Sequence, residues 1–424
     1  MRATKDSGVD WLGEIPRDWE VRKFRNVFKE SSEVNGTEPV GPMLSISSYH
    51  GVQVKEYASE NLQRDSDQLE NYRVVRPHQL AVNTMWLNYG GLGVSNTTGH
   101  MSPAYRAYWI IEGLYPRYVH HLMRSGLYVL GYTALLTGVR PNSLQMSRDS
   151  LMGFPILLPP LEEQQAIADF LDRETVKIDK LIAKQEILIA MLGERRQAVV
   201  TSSITQGLVD RNPLEHSQTD ANSAWRQVKI GHLFEVIGSG TTPQSDRDEY
   251  YGGAIPWVTT GELRESKILE TSKNVSDLAL KEHSALRIFP AGSLVIALYG
   301  ATIGRLGTLG VSSTVNQACC VLSGPKGVRT RFVYYALLAG RSLLLAEAVG
   351  GSQPNISQEA VRQFKILVPP SNQQDLITEN LDAETTKIDQ LIDVAKNTNQ
   401  KFLERRQSLI SAAVTGKIDL SEGA

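Results

Sequence analysis

A metal-dependent nuclease needs clustered carboxylates and a lysine, and the chain contains one loose set of this kind. Asp246, Glu265 and Lys267 have a spacing that such sites use. The pattern is so permissive that chance explains it better, and the first half of the chain has no counterpart. The sequence also lacks a phosphate-binding glycine loop, a nucleophile elbow and a paired-histidine zinc motif. We therefore predict no catalytic residue, no metal site and no cofactor bound by this chain.

Several glycine-containing loops hold side chains that suit contact with nucleic acid. Arg, Asn and Gln can form bidentate pairs with purine edges, and Thr or Tyr can bond phosphates. Any single residue is explained at least as well as part of a polar turn that caps a strand. For the loops taken together we favour nucleic-acid contact, chiefly because of the family resemblance described at the end of this section. The predicted DNA-binding residues are Asn83, Trp86, Asn88, Tyr89, Ser95, Asn96, Arg140, Asn142, Thr241, Thr242, Gln244, Thr260, Tyr299, Arg305, Gln353 and Asn355.

An internal repeat indicates which elements position these loops. The segment that starts at Pro159-Pro160 recurs at Pro369-Pro370 without a gap, at a constant offset of about 210 residues. About a third of some 50 aligned positions are identical. Since the period far exceeds the 20–50 residues of solenoid repeats, each repeat must contain a whole domain and a connector. The chain is therefore expected to consist of two copies of one plan.

Each connector has the pattern of a single long helix, predicted over 161–206 in the first copy. Apolar residues recur every seven positions, as in a coiled coil. The first stripe is Leu171, Ile178, Leu192 and Val199, with Gln185 as a polar interruption on the same series, and a second series is Ile167, Leu181 and Leu188. The tail repeats them with Leu381, Ile388, Ala395, Phe402 and Leu409, and with Ile377, Leu391 and Ala412. A dimerisation coiled coil between chains is the alternative, but the ungapped internal match favours pairing within one chain.

The two large segments have the pattern of mixed α/β domains. Strands are predicted at 108–111, 154–158, 294–298, 318–322 and 364–368, and helices at 116–130 and 331–347. Residues 211–222 have the composition of a linker. The predicted domains are 1–158, 159–209, 210–368 and 369–424, in which the second and fourth are the helical connectors.

Composition sets the broad class of protein but not its partner. The formal net charge of −2 gives no whole-chain signal for nucleic acid, and the hydrophobic content of 41% is ordinary for a globular protein. The two cysteines, Cys319 and Cys320, are adjacent, which suits a reduced compartment. The start of the chain has no apolar signal core, and no apolar stretch is long enough for a membrane span. We therefore expect a cytoplasmic protein.

At several motifs the chain resembles the DNA-specificity subunits of Type I restriction-modification systems. The resemblance rests on residues 11–21 and 225–233, on 238–243 and 253–258, on the Gly-Ala-Thr-Ile-Gly motif at 300–304, and on 351–357 followed by the double proline and a long helix. These motifs follow the family's order and cover nearly the whole chain. The first half departs from the second, because Tyr89-Gly90-Gly91-Leu92-Gly93 replaces the Gly-Ala-Thr-Ile-Gly motif.

The resemblance implies an α+β fold in which two target-recognition domains are separated by two long helices. The helices would pack as an antiparallel intramolecular coiled coil with pseudo-two-fold symmetry. Each domain would recognise one half of a split, asymmetric site in double-stranded DNA. The divergence between the two halves fits two different half-sites, and it prevents transfer of contacts from one domain to the other.

The resemblance also implies partner subunits that perform the chemistry. The helices would dock two modification subunits, which use S-adenosylmethionine to methylate adenine, and restriction subunits would add ATP- and magnesium-dependent nuclease activity. The predicted docking residues are Glu163, Gln164, Asp172, Glu174, Lys177, Arg195, Arg196, Gln374, Asp382, Glu384, Lys387, Arg405 and Arg406. Two other hypotheses remain: a scaffold with two carbohydrate- or protein-binding modules and no DNA, and a nuclease that uses Asp246, Glu265 and Lys267.

Overall fold

A computed structural model describes residues 2–56, 69–111, 113–138, 144–206, 225–346, 355–418 and 420. The chain divides into two units, the first made of residues 1–186 and 396–424 and the second of residues 187–395. Within these described ranges, no helix combines the length and the apolar character needed to cross a membrane.

The first unit combines short strands with short helices. Its strands are β1 (Thr4–Asp6), β2 (Glu14–Pro16), β3 (Glu20–Lys23), β4 (Phe28–Glu30), β5 (Leu44–Ser47), β6 (Gly51–Val54), β7 (Arg73–Val75), β8 (Leu80–Val82), β9 (Leu92–Val94), β10 (Gly99–Met101), β11 (Arg106–Ile110) and β12 (Pro155–Leu158). Its helices are α1 (Phe24–Val27), α2 (Pro116–Arg124), α3 (Gly126–Thr133) and α4 (Arg148–Gly153).

An antiparallel sheet in the order β4-β11-β8-β9 forms the centre of the first unit. Its main core contains the fully buried aromatic side chains of Trp19, Phe24, Tyr118 and Tyr128. Strand β3 pairs with β12 in a separate antiparallel ribbon, which ends directly before Pro159-Pro160. The ribbon therefore fixes the point at which the first long helix leaves the domain.

The two long helices belong to both units. They are α5 (Leu161–Gln206) and α11 (Ser371–Val414). Between them the chain forms β13 (Arg226–Lys229), β14 (Phe234–Ser239), β15 (Tyr251–Val258), β16 (Lys267–Ile268), β17 (Asn274–Val275), β18 (Leu294–Ala297), β19 (Leu306–Leu309), β20 (Thr314–Val315), β21 (Cys319–Pro325) and β22 (Lys365–Val368), with helices α6 (Ile230–Leu233), α7 (Asp277–Glu282), α8 (Thr330–Ala339), α9 (Arg341–Ala346) and α10 (Gln358–Gln363).

The second unit repeats the frame of the first around a different sheet. Its sheet has the order β14-β21-β18-β19-β16, in which only the β16–β19 pair is parallel. Strand β13 pairs with β22 as β3 pairs with β12, so that Arg226 lies opposite Val368 where Glu20 lies opposite Leu158. Thus the strand pairs beside the long helices match between the units, whereas the main sheets differ.

Helices α5 and α11 pack antiparallel in each unit. In the first unit, Leu171 shares a core with Ile410 and Val414, and eight residues later Asp179 contacts Arg406. In the second unit, Ile204 shares a core with Leu381, while Arg196 contacts Asp389. In both units the partner residue number falls as the α5 number rises, which confirms the predicted antiparallel pairing.

The heptad stripe is only partly buried. The first series is buried at Leu171, Ile178 and Leu192, and equally at Leu381, Ile388 and Ala395. In the second series Ile167 is buried, but Leu181 and Leu188 are each 43% exposed and Leu391 is 54% exposed. The second series is therefore buried near the start of each helix, at Ile167 and Ile377, and exposed at the leucines that follow. One partner helix covers only one face of each long helix.

The end of α11 shows why a glycine is needed there. Gly416 has a φ of 70°, and a Cβ atom on it would lie 2.3 Å from Cγ of Pro16. The backbone N–H groups of Gly416 and Lys417 donate to Ala413 and Ala412 at 3.2 and 2.9 Å, which satisfies the last carbonyls of the helix. The related Gly207 lies outside the described residues.

All five predicted strands are present, but each of the two predicted domain helices is broken. The helix predicted over 116–130 stops at Arg124, because Ser125 turns the chain and its Oγ accepts the N–H of Tyr128 at 3.4 Å. The helix predicted over 331–347 is divided at Gly340 into α8 and α9, and residue 347 lies outside the described range. In both units a small residue therefore ends the first helix and starts the second.

Candidate nucleic-acid interface

Each unit contains one ion pair between the long helices, at equivalent positions of the repeat. Nε of Arg406 donates to Oδ1 of Asp179 at 3.0 Å, and Nε of Arg196 donates to Oδ1 of Asp389 at 2.8 Å. Both arginines are mostly covered, with 15% and 21% of the side chain exposed. Of the predicted docking residues, Arg196 and Arg406 are therefore already used to hold α5 against α11.

One buried glutamine fixes the start of each long helix to its domain. Oε1 of Gln164 accepts the N–H of Tyr115 at 2.8 Å, and its Nε2 donates to the carbonyls of Gly113 and Pro159 at 2.9 Å. Gln374 repeats this arrangement with Arg329 and Pro369. Both glutamines are 1% exposed, so the side chains of these two predicted docking residues are bonded within their own domains.

A tryptophan indole binds the residue before each glutamine. Nε1 of Trp19 donates to Oε2 of Glu163 at 2.9 Å, and Nε1 of Trp225 donates to Oε1 of Gln373 at 2.9 Å. Glu163 is 7% exposed and also binds the guanidinium group of Arg2. Glu163 is thus a third predicted docking residue whose side chain is occupied within the domain.

Asp172 connects α5 to α2, and Asp382 connects α11 to α8. Asp172 pairs with Arg117 and accepts from Nε2 of His121 at 2.7 Å, while Asp382 pairs with Arg331 at 2.6 Å and accepts from the hydroxyl of Tyr335 at 2.5 Å. Burial, and next the charge of Arg406, lower the pKa of His121 to about 3, so the ring is neutral at pH 7 and donates one N–H.

The remaining predicted docking residues lie on the surface of the helices. Lys177 binds Glu174 at 2.6 Å, and Lys387 binds Glu384 at 3.1 Å at the same positions of the repeat. Arg195 and Arg405 are exposed. These six charged side chains are accessible to another protein, unlike the glutamines and Glu163.

In the first unit, an aromatic turn formed by residues 85–90 is the most exposed apolar loop among the predicted DNA contacts. Trp86 and Tyr89 are each 56% exposed, with ring centroids 5.7 Å apart, and Met85 is 41% exposed. The turn is a 3₁₀ helix over Leu87–Tyr89 that Gly90 closes with a φ of 68°. Leu87 is fully buried beneath it, so the exposed rings stand on a fixed base.

The polar residues predicted beside this turn have different positions. Asn83 is buried and its Oδ1 accepts the N–H of Met85 at 3.2 Å, and Ser95 is buried with its Oγ bonded to the carbonyl of Thr97. Both stabilise turns, which is the ordinary role noted above. Asn88 is half-buried, and Asn96 is exposed. Arg140 and Asn142 lie outside the described residues.

In the second unit, two pairs of loops meet at predicted positions. Thr242 bonds the side chain of Gln317, and Tyr299 forms a β-bridge with Asn355. Among the predicted residues of this unit, exposed side chains are found at Thr242, Gln244, Arg305 and Asn355, and half-buried ones at Thr241, Thr260 and Tyr299. Gln353 lies outside the described residues.

Two residues that sequence reasoning missed connect the aromatic turn to the helix pair. The hydroxyl of Tyr49 donates to Oδ1 of Asp179 at 2.6 Å, and the guanidinium carbon of Arg406 lies 4.8 Å from its ring centre. Burial and the bond to Asp179 raise the pKa of Tyr49 to about 12. Arg124 donates to the backbone carbonyls of Ser48, Gly90 and Leu92, among others. A single sequence contains no signal for either contact.

The nuclease set does not assemble with other acidic groups. Glu265 forms an ion pair with Arg341, and Asp246 is exposed. Among the described residues, no group of three or more His, Cys, Asp or Glu side chains is placed to hold a metal ion. Cys319 and Cys320 are both buried, and burial raises the pKa of the Cys320 thiol to about 12.

Comparison with known proteins supports the resemblance predicted from the motifs. The family model for the Type I restriction modification DNA specificity domain matches residues 222–401. Three relatives from Methanocaldococcus jannaschii are Type I specificity subunits: MjaX (putative; 24% identical; 65% of this chain, 62% of the relative), MjaIX (30%; 44% and 43%) and MjaVIII (21%; 95% and 94%). The chain thus spans less than two thirds of the first two, and nearly all of the third.

A solved structure agrees in fold. It is a chain from a study of complex assembly and conformational transition in a Type I restriction-modification system, with a TM-score of 0.70, 15% identity, and coverage of 95% of this chain and 99% of that one. At that identity the match concerns the fold alone, and it confirms the predicted class. The sequence resemblance is confirmed as well: the chain is related to the DNA-specificity subunits of Type I restriction-modification systems.

Proposed function

We propose that this chain is a specificity subunit that recognises a bipartite, asymmetric site in double-stranded DNA and directs partner subunits to it. One observation supports this above all. The frame beside the long helices has equivalent contacts in both units, such as Asp179–Arg406 and Asp389–Arg196, whereas the sheets and loops beyond it differ. A shared frame with two unlike domains suits one assembly that recognises two unlike sequences.

The duplication then has an energetic reason. A small domain contacts only a few base pairs, and each mismatch costs about 1–3 kcal/mol. Two domains in one chain add their discrimination, because mismatches in separate half-sites act independently. The aromatic turn of the first unit and the exposed Thr242, Gln244 and Arg305 of the second are the described residues that we assign to DNA contact.

Partner docking is proposed for the outer faces of α5 and α11. Leu181, Leu188 and Met191 on α5 are 43–61% exposed, and Leu391 and Val394 on α11 are 54–62% exposed. Exposed apolar residues in such number on two helices mark a surface for protein contact. The same helices carry charged residues that would orient the partners: Glu174, Lys177 and Arg195 on α5, and Glu384, Lys387 and Arg405 on α11.

In this proposal the chemistry belongs to the partners. Modification subunits would supply S-adenosylmethionine-dependent adenine methylation, and restriction subunits, where present, ATP- and magnesium-dependent cleavage. The chain itself would supply binding and orientation. The naming of its relatives as specificity subunits supports this division.

A domain exchange tests the proposal. Residues 225–368 should be replaced by the equivalent segment of a relative, and the methylated sequence should be mapped in cells that also express the modification subunits. We expect one half of the methylated sequence to change and the other half, with the adenine methylation itself, to persist. A change in both halves, or in neither, would refute modular recognition.

A further inference from the structure

The aromatic turn of the first unit is connected to the long helices by an unbroken chain of polar contacts. Tyr49 lies in the turn between β5 and β6, and its hydroxyl shares Oδ1 of Asp179 with the guanidinium group of Arg406. This places the β5–β6 turn directly on the ion pair that holds α5 against α11 within the first unit. The neutral hydroxyl and the ring above Arg406 both favour this ion pair.

Arg124 continues the chain from the β5–β6 turn to the aromatic turn. Its guanidinium group donates to the carbonyls of Ser47 and Ser48 at 3.3 and 2.7 Å, and to those of Gly90 and Leu92 at 3.1 and 2.5 Å. Hydrogen bonds from a charged donor are stronger than those between neutral groups. One side chain therefore fixes two loops to each other at the end of α2.

The second unit is built differently at the same positions. Arg117 and His121 of α2 correspond to Arg331 and Tyr335 of α8, since each pair binds the equivalent aspartate. By this correspondence the place of Arg124 is taken by Leu338, which is 3% exposed. The tyrosine beside Arg196 is Tyr334 of α8, not a residue of a hairpin turn. The loop connection through Arg124 is thus particular to the first unit.

We propose that Tyr49 and Arg124 are positioning residues for recognition of the first half-site. They hold the rings of Trp86 and Tyr89 at a fixed place relative to the helix pair, so that these rings meet only a correctly spaced sequence. The inference rests on the proposed function, because it assumes that the aromatic turn contacts DNA. It adds that selectivity in one half of the site depends on residues that touch neither DNA nor the partner subunits.

The test uses the complex of the full chain with its modification subunits and a library of randomised duplexes. Methylated duplexes are sequenced for the wild type, Tyr49→Phe, Arg124→Leu, Arg124→Lys and the double variant Trp86→Ala, Tyr89→Ala. Tyr49→Phe removes one hydroxyl and keeps the ring, while Arg124→Leu introduces the residue that the second unit has there. Tyr334→Phe is the matched control, because it removes a tyrosine hydroxyl from the second unit.

We expect Tyr49→Phe and Arg124→Leu to lower discrimination against single substitutions in one half of the site by about tenfold, and to widen the range of accepted spacer lengths. Arg124→Lys should retain part of the discrimination. The affected half should be the one that the double variant weakens, and Tyr334→Phe should leave that half unchanged. A loss that is equal in both halves, or no loss in Tyr49→Phe and Arg124→Lys complexes that methylate DNA, would overturn the inference alone. A wild-type complex without any sequence preference would instead overturn the proposed function.

Discussion

Single residues at equivalent positions of the two units perform one task with different chemistry. His121 donates to Asp172 through a neutral ring, and Tyr335 donates to Asp382 through a hydroxyl. Of the two side chains, only the histidine has an ordinary pKa in the mildly acidic range. Because burial and nearby arginines oppose that proton, the pKa of His121 is lowered to about 3 from the ordinary 6.5. The first unit is therefore expected to be the more sensitive to acid.

This sensitivity gives a prediction for His121→Gln, in which an amide replaces the donor ring. Since the unfolded chain binds a proton near pH 6.5 and the folded unit does so only near pH 3, the histidine lowers stability progressively as the pH falls between these values. From pH 6.5 to 5 the loss reaches up to about 2 kcal/mol. Over this pH range we expect the free energy of unfolding to fall less in His121→Gln than in the wild type, and the difference should approach this loss. Urea unfolding at several pH values measures it. An identical pH dependence in both proteins would show that His121 is protonated in the folded unit.

The sequence indicated which loop carries exposed side chains, but it did not distinguish the exposed residues of that pattern from the buried ones. Asparagine, tryptophan and tyrosine near a glycine turn were sufficient to select the aromatic turn, and Trp86 and Tyr89 are exposed there. Asn83 and Ser95 come from the same pattern but are buried, because a short polar side chain satisfies its own turn as readily as a ligand. Tyr49 and Arg124 could not be predicted, since their partners lie far away in the sequence and are mostly backbone carbonyls.

At the scale of elements, the start of each long helix depends on one amide side chain. Gln164 serves three backbone groups in the first unit, whereas Gln374 serves two in the second. A buried polar group that loses its partner costs about 1–3 kcal/mol. The double prolines follow directly after a strand end in each copy, and each glutamine lies six positions beyond that strand end.

We expect Gln164→Leu to lower the free energy of unfolding of the first unit by about 3 kcal/mol or more, and Gln374→Leu to lower that of the second unit by less. Hydrogen exchange followed by mass spectrometry distinguishes the units, because protection should fall in α2 and β12 for one variant and in α8 and β22 for the other. Gln165→Leu, one residue along the helix, is the control. Equal loss of protection in both units from either single variant would contradict the local role.

The sequence predicted that the two long helices exist, but it did not predict which of their apolar side chains are buried. The ungapped repeat and the seven-residue spacing gave both long helices, and α5 has the predicted bounds. The pattern could not show that Leu181 and Leu391 remain exposed. A heptad repeat indicates that an apolar face has a partner, but it does not indicate whether that partner lies in the same chain. The breaks at Ser125 and Gly340 were missed since both residues occur within apolar stretches that suit a continuous helix.

At the scale of the whole molecule, composition obscured the function that the motifs indicate. A formal net charge of −2 gives no sign of a polyanion partner, because acidic residues elsewhere in the chain cancel any local excess of lysine and arginine. Binding to duplex DNA would then depend on a limited number of phosphate contacts and on partner subunits. Phosphate contacts would distinguish a DNA-recognition subunit from a scaffold with two modules that bind carbohydrate or protein.

The dependence of binding on salt measures this difference. Each phosphate contact releases condensed counterions, so the logarithm of the binding constant falls with the logarithm of salt concentration with a slope of about −0.9 per contact. For the complex with modification subunits we expect a clear negative slope on a methylatable duplex, together with a specific site bound at least 10³ times more tightly than random duplex, as is usual for specific recognition. Trp86→Ala with Tyr89→Ala should reduce that ratio and leave the slope unchanged, because aromatic rings release no counterions. A complex that binds both duplexes equally, or whose binding does not respond to salt, would favour the scaffold.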